Sequence, residues 1–348
     1  MVVGERRRGK LNFIFMTFPS GKKNILVTGG AGFIGSHLCD ELVKYNHVIC
    51  VDNFITGSEK NIDHLLRNPD FKFIRHDITE PLKLENFPEL KDFKIELQGV
   101  QEIYNLACPT SPREYNNMPI ETLLANSFGT YNMLVLAKKY SAKFLHLSTS
   151  AIYGEVKESG QVREDNPGIV NPVGPRSCYN EGKRFAESLV ANFHTKEGVD
   201  TKIARVFNTF GPRMRLDDGR MIPDFINNAL NNKTVSVYGA ENEMGSYCFV
   251  EDLIDGVTRL MASELNLPVN LGSDHPIYVG ELAKKIVELC GSTSTLEFKE
   301  HLPYTSSQII PDISLAKESL GWFPMISLID GLAKTIENMK VHLREYRG

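Results

Sequence analysis

A chain of 348 residues, 42% hydrophobic and 24% charged, is long enough to bury one large core or two coupled ones. Its formal net charge of -4 lacks the broad positive field with which nucleic-acid binders collect phosphates, so nucleic acid is not an expected partner. The six cysteines (Cys39, Cys50, Cys108, Cys178, Cys248, Cys290) form no CxxC pair and have no histidine at ligand spacing. Neither a metal nor a disulfide framework is expected from them, and they read as thiols of a reducing cytoplasm.

In chain order, residues 1–22 carry charge ahead of the apolar run FIFM, far shorter than the ~20 apolar residues of a membrane span. This stretch reads as a disordered extension, and no membrane partner is expected. NILVTGG (24–30) then reads as a strand entering a glycine turn, and SHLCDELVKYN (36–46) as the helix after it. HVICVD (47–52), FKFIRHD (71–77), EIYNLA (102–107), KFLHLST (143–149) and DTKIARV (200–206) supply further strands, with helices near 119–140 and 176–197. Short β-branched runs alternating with helices are the pattern of βαβ units, so the expected class is α/β, a doubly wound parallel sheet of Rossmann type. From residue 207 the regularity breaks into loops such as NTFGPRMRLDDGRMIP (208–223). Long loops after a sheet usually carry a ligand. We therefore expect a Rossmann domain over 23–206 and a smaller substrate lobe mainly within 207–348, some of whose elements return to the first domain.

VTGGAGFIG (27–35) spaces Gly29, Gly32 and Gly35 as GxxGxxG between a strand and a helix. Glycine there lets backbone amides approach a pyrophosphate, whose charge the helix N-terminus stabilises. Asp52 ends the next strand and suits the ribose hydroxyls while repelling a 2′-phosphate; no arginine follows it in VDNFITG (51–57), which favours NAD. Asp77 and Ile78 would sit beside the adenine, and Phe33, Ile34, Asn53, Leu106 and Ala107 complete the expected cofactor contacts.

Tyr179 and Lys183 in SCYNEGK lie four apart, on one helical face. An ammonium near a phenol favours phenolate, which suits a base that takes a hydroxyl proton while hydride leaves to NAD. Many helices contain YxxxK by chance; Thr149, a hydroxyl at a strand end 30 residues upstream, and the glycine turn give it weight. Together these features resemble the extended short-chain dehydrogenases/reductases that act on nucleotide sugars, over residues 23 to about 340. ACPTSPREY (107–115), NPVGPRSCYNEGKRFAE (171–187), ARVFNTFGPRMRLDDGRM (204–221), SVYG (236–239) and PDISLAKESLGW (311–322) resemble blocks of the UDP-glucuronate decarboxylases, the UDP-xylose synthases.

That resemblance implies substrate contacts at Pro109 and Tyr115, at Asn208, Arg213 and Arg220 near the diphosphate, and at Tyr238 near the uridine. It also implies a homodimer through the helices near 119–140 and 176–197. Tyr179 would be the C4 base, also touching the cofactor with Lys183, and Thr149 would orient the C4 oxygen. Oxidising C4 of UDP-glucuronate makes a ketone β to the carboxylate; carbon dioxide leaves, and hydride returns to give UDP-xylose.

Four positions depart from the family pattern. Ala151 stands where a Glu is expected, Ile309 and Gly245 where arginines face the sugar carboxylate and the phosphates, and Asn105 where a His is common. An apolar Ile309 would deny a carboxylate its pairing charge. Ala151 is also how many nucleotide-sugar 4-epimerases read, so the alternative is C4 epimerisation or oxidoreduction of a sugar without the carboxylate. A 4,6-dehydratase fits less well, since Ser150 and Ala151 replace its Asp-Glu pair. A catalytically silent nucleotide-sugar-binding protein is the non-enzyme alternative.

Overall fold

The computed structural model describes residues 21–155, 160–217, 219–240, 243–300 and 308–347. The proposed N-terminal extension lies outside these except for Gly21 and Lys22, and Lys22 pairs with Asp70.

Seven parallel strands form the central sheet: β1 (Asn24–Thr28), β2 (His47–Asp52), β3 (Phe71–Arg75), β4 (Glu102–Asn105), β5 (Lys143–Thr149), β6 (Thr201–Val206) and β7 (Pro268–Leu271). Their order is β7-β6-β5-β4-β1-β2-β3, the doubly wound arrangement expected. β1, β2, β4 and β5 are buried almost throughout, as strands covered by helices on both faces must be. The winding reverses between β1, paired to β2 on one side, and β4 on the other. In open α/β sheets the crevice outside the carboxyl ends at that reversal receives the ligand.

Some boundaries differ from expectation. The first helix runs Phe33–Leu42 rather than from Ser36, because Gly32 serves as its N-cap and the turn passes directly into the helix. β3 ends at Arg75, although His76 still donates to the Asp52 carbonyl at 3.2 Å. β4 ends at Asn105, where the Leu106 and Ala107 amides turn to the Thr28 hydroxyl at 3.1 and 3.2 Å. Strand β7 comes from the C-terminal half of the chain and pairs with β6 from Pro268↔Ile203 to Leu271↔Val206.

The helix Ser177–Glu197 is pinned to the sheet by one polar cluster. Glu187 accepts from Arg205 of β6 through Nε at 3.0 Å and Nη2 at 2.8 Å, and from the Ser148 hydroxyl of β5 at 2.6 Å. Arg205 Nη1 donates to the Tyr153 hydroxyl, which donates to Asn270 of β7 at 2.7 Å. Tyr179 and Lys183 ride on this helix, so the cluster sets their position over the ends of the strands.

Candidate active site

A cleft of about 730 Å³ opens at the reversal point, a size typical of small-molecule sites. Its lining brings together the expected cofactor residues Gly29, Gly32, Phe33, Ile34, Gly35, Asp52, Asn53, Asp77, Ile78, Leu106 and Ala107 with Pro109, Arg213 and Arg220. Thr149, Tyr179, Lys183, Tyr115, Asn208 and Tyr238 stand outside that lining.

The glycine turn is shaped for a bulky anion. Gly29 has φ 67°, and a Cβ there would lie 2.9 Å from the Ala107 backbone; one on Gly35 would lie 2.1 Å from the Gly29 carbonyl. Gly32 caps the helix without a side-chain bond, which leaves first-turn N–H groups for a phosphate. Asp52 is held by amides: Ala31 N donates to Oδ2 at 3.0 Å and Phe54 N to Oδ1 at 2.8 Å. Burial raises its carboxyl above the usual range, and these amides oppose the rise. Asp77 is also pushed upward by burial, but bonds from Thr79 and from the Asn53 amide outweigh it and hold the group below its ordinary value. Two fixed carboxylates at the ends of β2 and β3, a side-chain-free turn and an uncapped helix end fit an adenine dinucleotide.

Behind the cleft, Thr149 at the end of β5 stands close enough to Tyr179 to act on its phenol. Burial pushes the Tyr179 phenol well up; the nearby Thr149 hydroxyl and the Arg220 charge work against that shift. Lys183, one turn on, donates through Nζ to the Leu147 carbonyl at 2.7 Å, and burial lowers its pKa. Tyr115 stacks on Tyr179 with ring centroids 5.0 Å apart and planes 9° apart. Cys108 joins this group to the cleft, since it lines the cleft and packs against the Tyr115–Cys178–Tyr179 cluster.

The four departures have distinct surroundings. Ala151 packs onto the Tyr115–Cys178–Tyr179 cluster. Ile309 is 9% exposed among Ile152, Tyr153, Val162 and Phe207. A Cβ on Gly245 would lie 2.7 Å from the Tyr247 hydroxyl and 3.1 Å from Gln308 Oε1, and Asn208 Nδ2 donates to that same oxygen at 2.8 Å. Asn105 is buried, accepting from the Thr28 hydroxyl at 2.8 Å and contacting His146 Nδ1 at 3.2 Å. Burial, seconded by Lys183, lowers the His146 pKa well below its usual value, so the imidazole is neutral.

Arg220 donates to the Thr110 hydroxyl at 2.7 Å, within the cleft. Arg213 pairs with Asp40 of the first helix at 2.7 Å. Tyr238 stands apart, 38% exposed. The sequence reading missed Cys108, although it lies in the quoted ACPTSPREY block, and missed Asn338, Met339 and Leu343, which line the cleft from the C-terminal helix Leu328–Arg347. No sequence signal ties those three to a site more than a hundred residues away.

Comparison with known proteins agrees with this arrangement. The family model described as GDP-mannose 4,6 dehydratase matches residues 26–335. UDP-glucuronic acid decarboxylase 1 of Arabidopsis thaliana is 44% identical over 91% of this chain and 69% of its own length. Among solved structures, UDP-glucose 4-epimerase of Thermotoga maritima with UDP-glucose superposes with TM-score 0.80 at 28% identity, over 92% of this chain and 99% of that one. UDP-glucuronic acid 4-epimerase of Bacillus cereus, in complex with UDP-glucuronic acid and NAD, does so with TM-score 0.79 at 30% identity over the same shares. The chain belongs to the extended short-chain dehydrogenase/reductase family of nucleotide-sugar enzymes, alongside the UDP-glucuronic acid decarboxylases.

Proposed function

We propose that this protein is an NAD-dependent enzyme that oxidises the C4 hydroxyl of a UDP-sugar, with UDP-glucuronate as substrate and UDP-xylose as product. The observation that carries the reading is Tyr179 one helical turn from Lys183, with Thr149 acting on its phenol, the group joined through Cys108 to a cleft that fits a dinucleotide. The extensive identity to UDP-glucuronic acid decarboxylases supports the substrate. NAD, when bound, accepts the C4 hydride and returns it. Tyr179 takes the C4 hydroxyl proton, Thr149 orients the C4 oxygen, and Lys183, one turn further along the helix, supplies the positive charge that favours the phenolate. Once C4 is a ketone, the electron pair released with carbon dioxide delocalises into it.

A second reading, C4 epimerisation or oxidoreduction of a sugar without the carboxylate, is favoured by the setting of Ala151 and Ile309 within apolar clusters. Incubation with NAD and UDP-glucuronate, followed by mass spectrometry and proton NMR, decides between them. UDP-xylose or its 4-keto precursor is the expected product. Unchanged UDP-glucuronate from a folded protein that binds NAD would overturn the decarboxylase reading and direct attention to neutral sugars such as UDP-glucose.

We also infer a homodimer, a substrate lobe drawn mainly from 207–348, and a cytoplasmic location. Ile120, Phe128, Tyr131 and Val135, on the helical stretch 119–140, and Phe185, on the helix Ser177–Glu197, are each more than 40% exposed, an apolar surface that a second copy would cover. Light scattering at micromolar concentration is expected to return twice the chain mass, and a monomer mass rejects the dimer. All six cysteines are free thiols. Among the described residues no helix is long and apolar enough to cross a membrane.

A further inference from the structure

Arg213 has φ 67°, a left-handed conformation that a residue with a Cβ adopts only when its surroundings hold it. Two side chains from distant elements do so. Asn338 Oδ1, on the C-terminal helix, accepts the Arg213 backbone N–H at 3.0 Å. Asp40, on the helix that begins at the glycine turn, pairs with Nη2 at 2.7 Å, and His37 of that helix meets the neighbouring Pro212 carbonyl at 3.0 Å.

This arrangement leaves part of the guanidinium unanswered. Nη1 is buried and has no hydrogen-bond partner, which is unusual for a charged donor. Asp40 answers only Nη2, while Arg213 lines the same cleft as Gly32, Phe33 and Ile34. A pyrophosphate on the uncapped helix end would share this cleft with the Arg213 side chain, and guanidinium groups pair with phosphate oxygens in fixed geometry.

We propose that Arg213 serves the pyrophosphate of the dinucleotide rather than the diphosphate of the sugar nucleotide, and that Asn338 is a positioning residue that holds it there. The C-terminal helix is then part of the cofactor site. The assignment rests on the reading of NAD as cofactor.

The test titrates NAD, and separately UDP, into the full-length protein freed of nucleotide, by calorimetry. Arg213→Met and Asn338→Ala are each expected to weaken NAD about tenfold, the scale of one lost charge-assisted or backbone hydrogen bond. UDP affinity should stay within about twofold, which also shows that the variants are folded. Asn338→Ser keeps a neutral acceptor oxygen and should recover part of the NAD affinity that Asn338→Ala loses. Unchanged NAD affinity in both weakening variants, or a loss of UDP affinity instead, overturns the assignment while leaving the cofactor reading intact. A wild-type protein that binds no NAD overturns both.

Discussion

Tyr179→Phe is expected to lower turnover about a thousandfold while NAD affinity stays within about threefold. The ring remains, so its parallel stacking on Tyr115 and its place in the apolar cluster survive; only the phenolic oxygen is lost. Burial raises the phenol's pKa, so at neutral pH the group is protonated and its base form gains as pH increases. C4 oxidation in the wild type, followed by the absorbance of reduced nicotinamide in a single turnover, should therefore speed up from neutral to alkaline pH. The variant should lose that rise. Turnover within tenfold of wild type would remove Tyr179 from its role as base.

Glu187→Ala carries the largest expected cost in stability, about 3–5 kcal/mol, the scale for breaking a buried ion pair by deleting one partner. The Glu187 and Arg205 side chains are only 11% and 10% exposed, so water cannot replace the lost carboxylate. Arg205 would keep the Tyr153 hydroxyl and the Glu164 carbonyl, but its Nε and Nη2 would lose their acceptor, as would the Ser148 hydroxyl. Denaturant unfolding of both proteins measures the difference, and a loss below about 1 kcal/mol would mean that the cluster contributes little. Replacing both members by apolar residues should cost less than Glu187→Ala alone, because no charge is then stranded.

What could be read from the sequence follows how local each signal is. HVICVD and KFLHLST coincide with β2 and β5, since a buried parallel strand leaves a continuous apolar run between turn signals. The glycine turn was legible because its backbone and its close approach to Ala107 exclude side chains. Strand β7, only four residues long, carries too little pattern to separate it from the loops around it. The absence of charge at Ala151 and Ile309 was plain in the sequence. That Ile309 belongs to a packed cluster with Tyr153 and Phe207 depends on chain segments brought together by folding. The bond between Arg213 and Asn338 spans 125 positions and leaves no local trace.

The late arrival of β7 also bears on how the protein emerges from the ribosome. A nascent chain that has completed β6 presents the peptide edge of Thr201–Val206 unpaired until Pro268–Leu271 has been made. At about 5–20 residues per second that edge stays open for several seconds, long compared with the collapse of a chain of this size. Asn270, which receives the Tyr153 hydroxyl, is missing for the same interval, so the polar cluster under the Tyr179 helix closes only once synthesis has passed Asn270. Acquisition of the reactive geometry is therefore a late event in biogenesis, and the β6 edge is where a chaperone would have most to protect.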